Sequence, residues 1–501
     1  MFVRRKKNKS GVISVQVITK IKGQSKLVKT IGSSSDEEVV KGLINEGKQF
    51  ILLFGGQKTL DFSNEQNLVK SVFQNINSHT EVGTQLLLDK IFDEIGFNAI
   101  EEDIFRQLVL SRLTYPVSKL RTSRYLDRYH DVNYPVQQIY RYMDKFHQAQ
   151  KELVQQISYE HTKKILGGII SIVFYDVTTL YFEIDHEDEL RKTGFSKEGK
   201  HQHPQIVLGL LVGQNGYPLA YDIFEGNKFE GHTMLPVISA FKEKHDLGQM
   251  IIIADSGLLS NANITELQSI GYEFILGARI KNEQMDIQKR ILALSLNNGE
   301  SAIVQKGDLS LVITYSDKRA RKDRINREKG IKKLEKGIKS GKLTKSNINN
   351  RGYNKYLKIE GEVKVAIDYP RFEADATWDG LKGYLTNAKL SKNEVIENYG
   401  HLWLIEKAFR VSKTDLKIRP IYHRLQRRIE SHICISFAAY KIYKELEHQL
   451  SEKQSSLSPE KAIEIAKSIY QIRASTTNGQ VNHIMLISKE QQNLAQLFGF
   501  G

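Results

Sequence analysis

Three acidic residues of this sequence follow or interrupt apolar segments, where a carboxylate needs a specific partner. Asp176 follows the run IISIVFY, and Asp255 follows MIIIA. An acid at the end of a buried strand is costly to desolvate, so two such acids on neighbouring strands indicate a bound cation, although an aspartate that starts a turn gives the same pattern. Glu406 lies within LWLIEKAF. It either pairs with Arg410, one helical turn away, or joins the two aspartates.

Carboxylate oxygens of this kind bind hard divalent cations. Two aspartates and one glutamate suit Mg²⁺ or Mn²⁺ rather than Zn²⁺. The single cysteine, Cys434, excludes a cysteine-based zinc site, and a histidine-only zinc cluster is disfavoured. Two ions about 3.5–4 Å apart stabilise the attacking and leaving oxygens of an in-line phosphoryl displacement. The three acids are therefore consistent with metal-dependent phosphoryl transfer.

The elements that position these acids are predicted to form an α/β sheet. Five short β-branched runs lie between residues 169 and 278, and helical segments separate the third, fourth and fifth of them. This order predicts a sheet with an antiparallel start. A helix predicted over residues 391–413 carries Glu406, and the spacing places Tyr399 and Lys413 on the same face.

The positive charge is concentrated in two segments. The 501 residues carry a net charge of +15; residues 1–35 contain nine Lys and Arg and no acid, and residues 318–358 contain sixteen against three acids. Localised positive charge indicates a polyanionic partner, most often nucleic acid, although solvated surface has the same composition. The apolar runs are far shorter than the ~20 residues of a membrane-spanning helix, and the basic start lacks the apolar stretch of a secretory signal. We therefore expect a protein of a reducing compartment with no membrane partner.

Four separated blocks, within about residues 165–440, resemble bacterial insertion-sequence DDE transposases of the group with a β-rich insertion before the catalytic Glu. The blocks are YDVTTLYFE, GFSKEGKHQHPQIVLGLLVGQNGYPLAYDIFEGNKFEGHTMLPVI, IIIADSGLLS and YGHLWLIEKAFRVSKTDLKIRPIYH. The group has an RNase H-like catalytic core and a helix signature of Tyr, Arg, Glu and Lys. The signature falls on Tyr399, Leu402, Glu406 and Lys413 here, so Leu402 departs from it, and Arg410 is the candidate to replace the missing arginine.

The resemblance implies a function and a set of roles. Asp176, Asp255 and Glu406 would form the catalytic triad and hold two Mg²⁺ or Mn²⁺ ions. A strand would be cut at the end of an insertion sequence, and the new 3′-OH would then attack the opposite strand or target DNA. The implied DNA-binding residues are Tyr399, Arg410, Lys413, Lys417, Arg419 and His423, the last three in a block that alternatively packs the C-terminal helix.

The resemblance also implies partners and a location. The partners are the terminal inverted repeats of the element and target DNA. A homodimer is expected on the DNA ends, because two ends must be brought together. The implied location is the bacterial cytoplasm, at the nucleoid through DNA binding.

The predicted fold class is α/β, with an RNase H-like catalytic core interrupted by a β-rich and basic insertion. An N-terminal β-hairpin with a helical DNA-binding region precedes the core, and a helical C-terminus follows it. The predicted segments are a basic β-rich segment (1–60, with the hairpin over 11–32), a helical DNA-end-binding region (61–165), the first part of the core (166–280), the insertion domain (281–391), the helix completing the core (392–445) and a C-terminal helical region (446–501).

Other functions fit some of the same residues. A metal-dependent nuclease of this fold would hydrolyse DNA and never join strands. A non-catalytic DNA-binding relic of an element predicts the loss of at least one of the three acids, and none is lost. A generic RNA-binding protein would not require acids at the ends of buried strands. The intact acids therefore favour catalysis, and the insertion and the block KIRPIYH match the strand-joining enzymes rather than a nuclease.

Overall fold

The computed structural model describes residues 1–21, 23–54, 76–145, 148–184, 186–196, 199–258, 260–349, 352–360, 364–476 and 479–500. Contacts divide the chain into two units, Met1–Ser78 with Ile472–His483 and His79–Gln471 with Ile484–Gly501. The predicted boundary between residues 60 and 61 lies outside the described residues.

The secondary structure alternates between strands and helices along most of the chain. The strands are β1 Phe2–Lys7, β2 Ile13–Ile21, β3 Gln24–Ser34, β4 Ile76–Glu81, β5 Ile172–Tyr181, β6 Gln205–Gly213, β7 Pro218–Glu225, β8 Ile251–Ala254, β9 Glu273–Ala278, β10 Ser301–Lys306, β11 Leu309–Tyr315, β12 Leu357–Glu360, β13 Lys364–Ile367, β14 Leu381–Thr386, β15 Tyr470–Thr476 and β16 Gly479–Met485. The helices are α1 Glu37–Phe54, α2 Gly83–Ile95, α3 Asp103–Thr114, α4 Lys119–His130, α5 Val136–Asp144, α6 Gln148–Ile165, α7 Met234–His245, α8 Asn261–Ser269, α9 Met285–Leu292, α10 Asp317–Lys339, α11 Tyr369–Ala376, α12 Lys392–Gly400, α13 Trp403–Thr414, α14 Gln426–Glu452, α15 Pro459–Ala466 and α16 Lys489–Phe498. None of the helices in the described ranges is both long and apolar enough to cross a membrane.

The smaller unit contains an antiparallel sheet with one helix packed on it. β1 pairs with β2 and β2 pairs with β3, and α1 packs against the sheet. The hairpin predicted over residues 11–32 is confirmed as β2 and β3. The helix α1 was not predicted, so the segment called β-rich over residues 1–60 also contains a helix of 18 residues.

An eight-stranded mixed sheet forms the centre of the larger unit, in the order β10-β11-β14-β9-β8-β5-β6-β7. β8 is parallel to both of its neighbours, β5 and β9, and the other pairs are antiparallel. The five predicted core strands and the antiparallel start are confirmed. α7 connects β7 to β8 and α8 connects β8 to β9, at the places where the sequence predicted helices.

An apolar core lies on each face of this sheet. Along β5, Phe174 and Leu180 belong to one core, and Val173 and Tyr175 belong to the other. Residues of α12, α13 and α14 contribute to the first core, and residues of α7 and α8 to the second. We call the side of the first core the α13 face. Because side chains alternate along a strand, Asp176 points to the α13 face.

The segment between the second aspartate and the glutamate is partly continuous with the sheet, although it was predicted as a separate insertion domain over 281–391. Its strands β10, β11 and β14 extend the sheet beyond β9, since their alternating apolar residues pair in register, for example Leu311 with Leu385. α10 and the β12–β13 hairpin form a separate layer with a small core that includes Ile331 and Leu334.

Two predicted elements near the acids differ from the structure. The strand predicted to end at Asp176 continues to Tyr181, because β6 pairs with it along its whole length. The helix predicted over 391–413 is divided into α12 and α13 by a turn at His401 and Leu402. Gly400, a poor helix former, is the last residue of α12.

The prediction of a helical C-terminal region over 446–501 is wrong in part. α14, α15 and α16 are helices, but β15 and β16 lie between the last two. The sequence of this pair alternates and contains an Asn-Gly dipeptide, which is typical of a hairpin turn. These two strands form a three-stranded sheet with β4, in the order β16-β15-β4.

Candidate active site

Asp176 and Asp255 occupy neighbouring positions on two adjacent parallel strands. β5 and β8 pair so that Tyr175 lies opposite Ala254. Asp176 directly follows Tyr175, and Asp255 directly follows Ala254, so the two aspartates lie at neighbouring positions. Ile253 belongs to the core of the α13 face, and alternation directs Asp255 to that same face. Asp176 is half-buried, and its Oδ1 accepts a hydrogen bond from the backbone N–H of Val177 at 2.8 Å. The structure thus brings the two predicted acids together.

Tyr399 contacts Asp255 directly. Its Oη donates a hydrogen bond to Oδ1 of Asp255 at 3.1 Å, and the tyrosine is buried. Burial and the charge of Asp255 raise the pKa of Tyr399, so the hydroxyl remains a proton donor. The hydroxyl predicted to contact DNA therefore orients a carboxylate in this structure.

This close approach requires the absence of a side chain at Gly277 in β9. A Cβ built there would lie 2.5 Å from Oη of Tyr399 and 2.9 Å from the backbone N of Ser256. Ser256 follows Asp255, so an added methyl group would displace both partners of the hydrogen bond.

We expect Gly277→Ala to lower the free energy of unfolding by about 1–3 kcal/mol, because overpacking forces side chains and backbone to shift. Urea unfolding of the full chain measures this change. Gly400→Ala is the matched control, because a Cβ at Gly400 meets no atom within 4 Å. The control should be neutral or slightly stabilising, since alanine favours helix. A Gly277→Ala chain as stable as the control would contradict the tight packing of Tyr399.

α13 carries the predicted Glu406 and Lys413 on one side. Lys413 donates a hydrogen bond from Nζ to Oγ1 of Thr178, which lies two residues after Asp176 on the same face of β5. Glu406 lies two turns earlier on α13 and is exposed. α13 therefore connects the glutamate to the strand of the first aspartate.

The negative charges of Glu406 and Asp255 act on the same two side chains, Tyr399 and Lys382. Both carboxylates raise the pKa of Tyr399, and both oppose the lowering of the pKa of Lys382. Glu406 and Asp255 thus lie close enough together for both charges to act on Tyr399 and Lys382.

Two other positions of the helix pair have different surroundings. Arg410 is exposed on α13. Leu402, where the transposase signature has arginine, is 7% exposed and belongs to the apolar core. The signature position is therefore used for packing in this chain.

Lys417, Arg419 and His423 belong to a segment that contacts the end of β5 beyond Asp176. The backbone N–H of Ile421 donates to the carbonyl oxygen of Tyr181 at 3.2 Å, so this segment runs beside the far end of β5. Tyr181 lies five positions after Asp176, which is about 17 Å along an extended strand.

These three side chains differ in exposure. Lys417 is exposed, and the guanidinium of Arg419 lies 5.8 Å from the centre of the Tyr181 ring. His423 is half-buried, and burial together with the charges of Lys119 and Arg112 lowers its pKa to about 3. At neutral pH His423 is therefore uncharged, so it cannot bind a DNA phosphate through a positive charge.

Sequence reasoning missed Lys382 on β14. Its Nζ lies 4.5 Å from the ring centre of Tyr399 and 5.1 Å from that of Tyr384. Burial and the charge of Arg319 lower the pKa of Lys382, against the opposing effect of Asp255 and Glu406. The lysine is thus a cation beside the acids.

An open cavity of about 640 Å³ adjoins Lys382. Its basic lining residues are Arg279, Lys281, Arg319, Arg327, Lys355 and Lys382. Lys281 and Lys355 pair with Asp375 at 2.5 and 2.8 Å. Lys382, by contrast, forms no ion pair with any residue in the described ranges, so its charge remains available to the site.

The oxygen donors of this region fit a hard divalent cation in their chemistry. Asp176 and Asp255 share one face of adjacent strands, and Glu406 comes from the helix packed on that face. Within the part of the chain that the structure describes, no three His, Cys, Asp or Glu side chains are close enough together to hold one metal ion. The carboxylates are thus assembled in one region without forming a closed cage.

Comparison with known proteins gives a match to a family model and matches to several solved structures. No curated protein matches the chain. The cryo-EM structure of a piggyBac transposase synaptic complex with hairpin DNA covers 79% of this chain and 80% of its own chain, with a TM-score of 0.40 and 10% identity.

The family described as "Transposase DDE domain" matches residues 168–442. This range is more than half of the chain and contains β5, β8 and α13 with the three acids. The chain belongs to the DDE transposase domain family.

Proposed function

We propose that this chain is a DNA transposase that cuts strands at the ends of an insertion sequence and transfers the 3′-OH into target DNA. The observation that carries the proposal is the neighbouring position of Asp176 and Asp255 on parallel strands, with α13 and Glu406 packed on the same face. The strand order β9-β8-β5-β6-β7 supports an RNase H-like core. The bacterial origin of the element and a location at the nucleoid are part of the same proposal.

In this proposal Asp176, Asp255 and Glu406 are the catalytic acids and the ligands of two Mg²⁺ or Mn²⁺ ions. Such ions, when bound, supply charge stabilisation to the attacking and leaving oxygens of the phosphodiester. Tyr399 orients Asp255 through its hydrogen bond, which keeps one carboxylate oxygen in a fixed direction. Lys413, held beside β5 through Thr178, is positioned to contact a DNA phosphate near the cut.

Positive charge elsewhere would bind the rest of the DNA. α10 carries most of the basic segment 318–358, and β1 to β3 carry the basic N-terminal residues. Neither segment provides sequence-specific contacts by charge alone, because phosphate contacts fix orientation and do not read bases. The terminal inverted repeats are the proposed specific partner, and a homodimer on two DNA ends is the proposed assembly.

Strand cleavage of a DNA fragment that carries the flanking element ends tests the function. The assay contains Mg²⁺ or Mn²⁺ and compares wild type with Glu406→Gln, which keeps the size and removes the charge. Glu397→Gln is the matched control, because Glu397 is an exposed glutamate of the neighbouring helix α12. We expect wild type and the control to release a 3′-OH at the element end and to join it to target DNA, and we expect Glu406→Gln to do neither.

The outcomes separate the alternatives. Equal cutting by Glu406→Gln would remove this residue from the mechanism. Cutting without joining would indicate a nuclease of the same fold. DNA binding without any cutting by wild type would indicate a non-catalytic relic of an element.

A further inference from the structure

A group of positively charged and histidine side chains is buried where α3, α4 and α14 meet. Arg112 near the end of α3 is 6% exposed, Lys119 at the start of α4 is 4% exposed, and His432 of α14 is 6% exposed. The ring of His423 lies beside that of His432 in a tilted arrangement, with the ring centres 5.4 Å apart. We call these four residues the basic cluster. They lie at the Lys417–His423 segment, away from the three acids.

The contacts of Arg112 bring no negative charge into the cluster. Nη1 of Arg112 donates to the carbonyl oxygen of Leu416 at 3.4 Å, and Nη2 lies 3.3 Å from Nδ1 of His432. Nε2 of His432 lies 2.9 Å from the carbonyl oxygen of Ile418. These partners assign His432 a proton on Nε2 and an acceptor lone pair on Nδ1, which is the neutral form of the ring.

Lys119 has even fewer partners. Its ammonium donates no hydrogen bond to, and forms no ion pair with, any residue within the described ranges, although the residue is 96% buried. It lies close enough to Arg112, His423 and His432 for its charge to act on both histidines. Lys119 is therefore a buried basic residue on which the charge of Arg112 acts and for which the described residues supply no counter-ion.

The carboxylate at the edge of this region is already used. Asp144 accepts two hydrogen bonds from Arg428, at 2.7 and 2.6 Å, and a third from Nε of Arg427 at 2.9 Å. Arg428 in turn lies near His423, since its charge lowers the pKa of that ring. The two arginines of α14 thus occupy Asp144 and leave it unavailable to Arg112 and Lys119.

Burying a charge without a counter-ion costs several kcal/mol, and fully buried Lys and Arg residues in proteins are normally paired. The cost is visible in the cluster. Burial lowers the pKa of Arg112 to about 10, and burial together with the charge of Arg112 lowers the pKa of Lys119 far below its usual value. An anion placed between Arg112 and Lys119 would remove this cost.

We propose that Arg112 and Lys119 bind one phosphate group, and that this phosphate belongs to the DNA backbone. α4 begins at Lys119 and is 12 residues long, so its positive N-terminal end adds to the same field. The surface of the neighbouring segments carries exposed Lys417, Arg424 and Arg427, which attract a polyanion to the region. The DNA source of the phosphate rests on the proposed function, whereas the anion site itself does not.

Thermal unfolding of the full chain in inorganic phosphate tests the site without DNA. Ionic strength is held constant with sodium chloride while phosphate replaces it. We expect the Tm of wild type to rise with phosphate and to saturate, since a ligand that binds only the folded state stabilises it. Lys119→Met should lose this response and should have a higher Tm than wild type in the absence of phosphate, because one of the two buried basic groups without a counter-ion is gone.

Two further variants keep the test decisive. Lys119→Gln removes the charge and keeps a polar side chain, so it should also lose the phosphate response. It replaces Lys119→Met in the test if Lys119→Met folds poorly. Lys90→Met is the matched control, because Lys90 is an exposed lysine on α2, and it should respond as wild type does. A wild type that ignores phosphate, or a Lys119→Met variant that responds like the control, would overturn the site.

The salt dependence of DNA binding identifies the source of the phosphate. Phosphate contacts are independent of sequence, so a long duplex of arbitrary sequence is a sufficient probe. We expect Lys119→Met to reduce the magnitude of the slope of log K against log[salt] by about 0.9 relative to Lys90→Met, the value for one lost phosphate contact. An unchanged slope with a lost phosphate response would overturn the DNA source and identify inorganic phosphate as the ligand. Because this measurement needs no cleavage, its outcome is distinct from that of the cleavage assay.

Discussion

We expect Asp255→Asn to lower the rate of metal-dependent DNA strand cleavage by at least about 100-fold. The amide keeps the shape of the carboxylate and can still accept the hydrogen bond from Tyr399, so the packing around it is preserved. It removes the negative charge that in the proposed function holds a divalent cation, and such an ion, when bound, would supply several kcal/mol of charge stabilisation in the transition state. At 1.36 kcal/mol for each factor of ten, a loss of about 3 kcal/mol corresponds to the expected 100-fold.

The same substitution should leave DNA affinity nearly unchanged. Single-turnover cleavage and DNA binding are therefore measured on the same preparation. Asp286→Asn is the matched control, because Asp286 is an exposed aspartate in the first turn of α9. The control should cut DNA at the wild-type rate.

The combination with Glu406→Gln adds a second criterion. Groups that act as one catalytic unit show strongly non-additive effects, so the double variant should be little slower than either single variant. Independent and multiplicative losses would contradict a shared site for the two acids. Wild-type cleavage by Asp255→Asn alone would remove this residue from the mechanism.

The positions of the two aspartates follow largely from local sequence. Apolar runs that end in an acid predicted both strands, and the parallel register then places the acids side by side. The strand of Asp176 extends further than predicted, because pairing with β6 depends on residues about thirty positions away in the sequence. Local patterns could not contain that information.

The role of Tyr399 came from a resemblance, whereas Glu406 was already a candidate because it interrupts an apolar helix. The spacing in the helix signature assumes one continuous helix, whereas α12 ends at Gly400 and α13 starts at Trp403. Tyr399 reaches Asp255 because Gly277 of a distant strand leaves room for it. No regular spacing in the sequence relates Tyr399 to Asp255 or Gly277, so the contact between Tyr399 and Asp255 could not be predicted.

Lys119 and Lys382 were missed for a common reason. A single lysine in a polar or alternating segment is usually a solvated residue, so its sequence context gives no indication of burial. Their surroundings are made by tertiary packing, of α3 and α14 in one case and of α12 in the other. The burial of Lys119 and Lys382 could therefore be recognised only in the structure.

The charge of Lys382 should oppose the binding of a divalent cation at the acids. A unit charge and a divalent ion a few ångströms apart interact by about 1–2 kcal/mol even in surroundings of high dielectric constant. We therefore expect Lys382→Met to lower the half-saturating Mn²⁺ concentration by roughly five- to tenfold, and Lys382→Glu to lower it by up to about 100-fold. Calorimetric titration of the full chain with Mn²⁺, without DNA, measures both values.

DNA binding should change in the opposite direction, because the same substitutions remove attraction for phosphates beside the acids. Lys281→Met is the matched control, since Lys281 lines the same cavity but its charge is paired with Asp375. It should shift Mn²⁺ binding far less than Lys382→Met. The decisive comparison is between the change in Mn²⁺ affinity of Lys382→Met and that of Lys382→Glu. A Coulomb effect on Mn²⁺ affinity scales with the change in charge, whereas an effect of packing does not. Equal Mn²⁺ affinities for Lys382→Met and Lys382→Glu would show that the lysine acts through its contacts with Tyr399 and Tyr384 rather than through its charge.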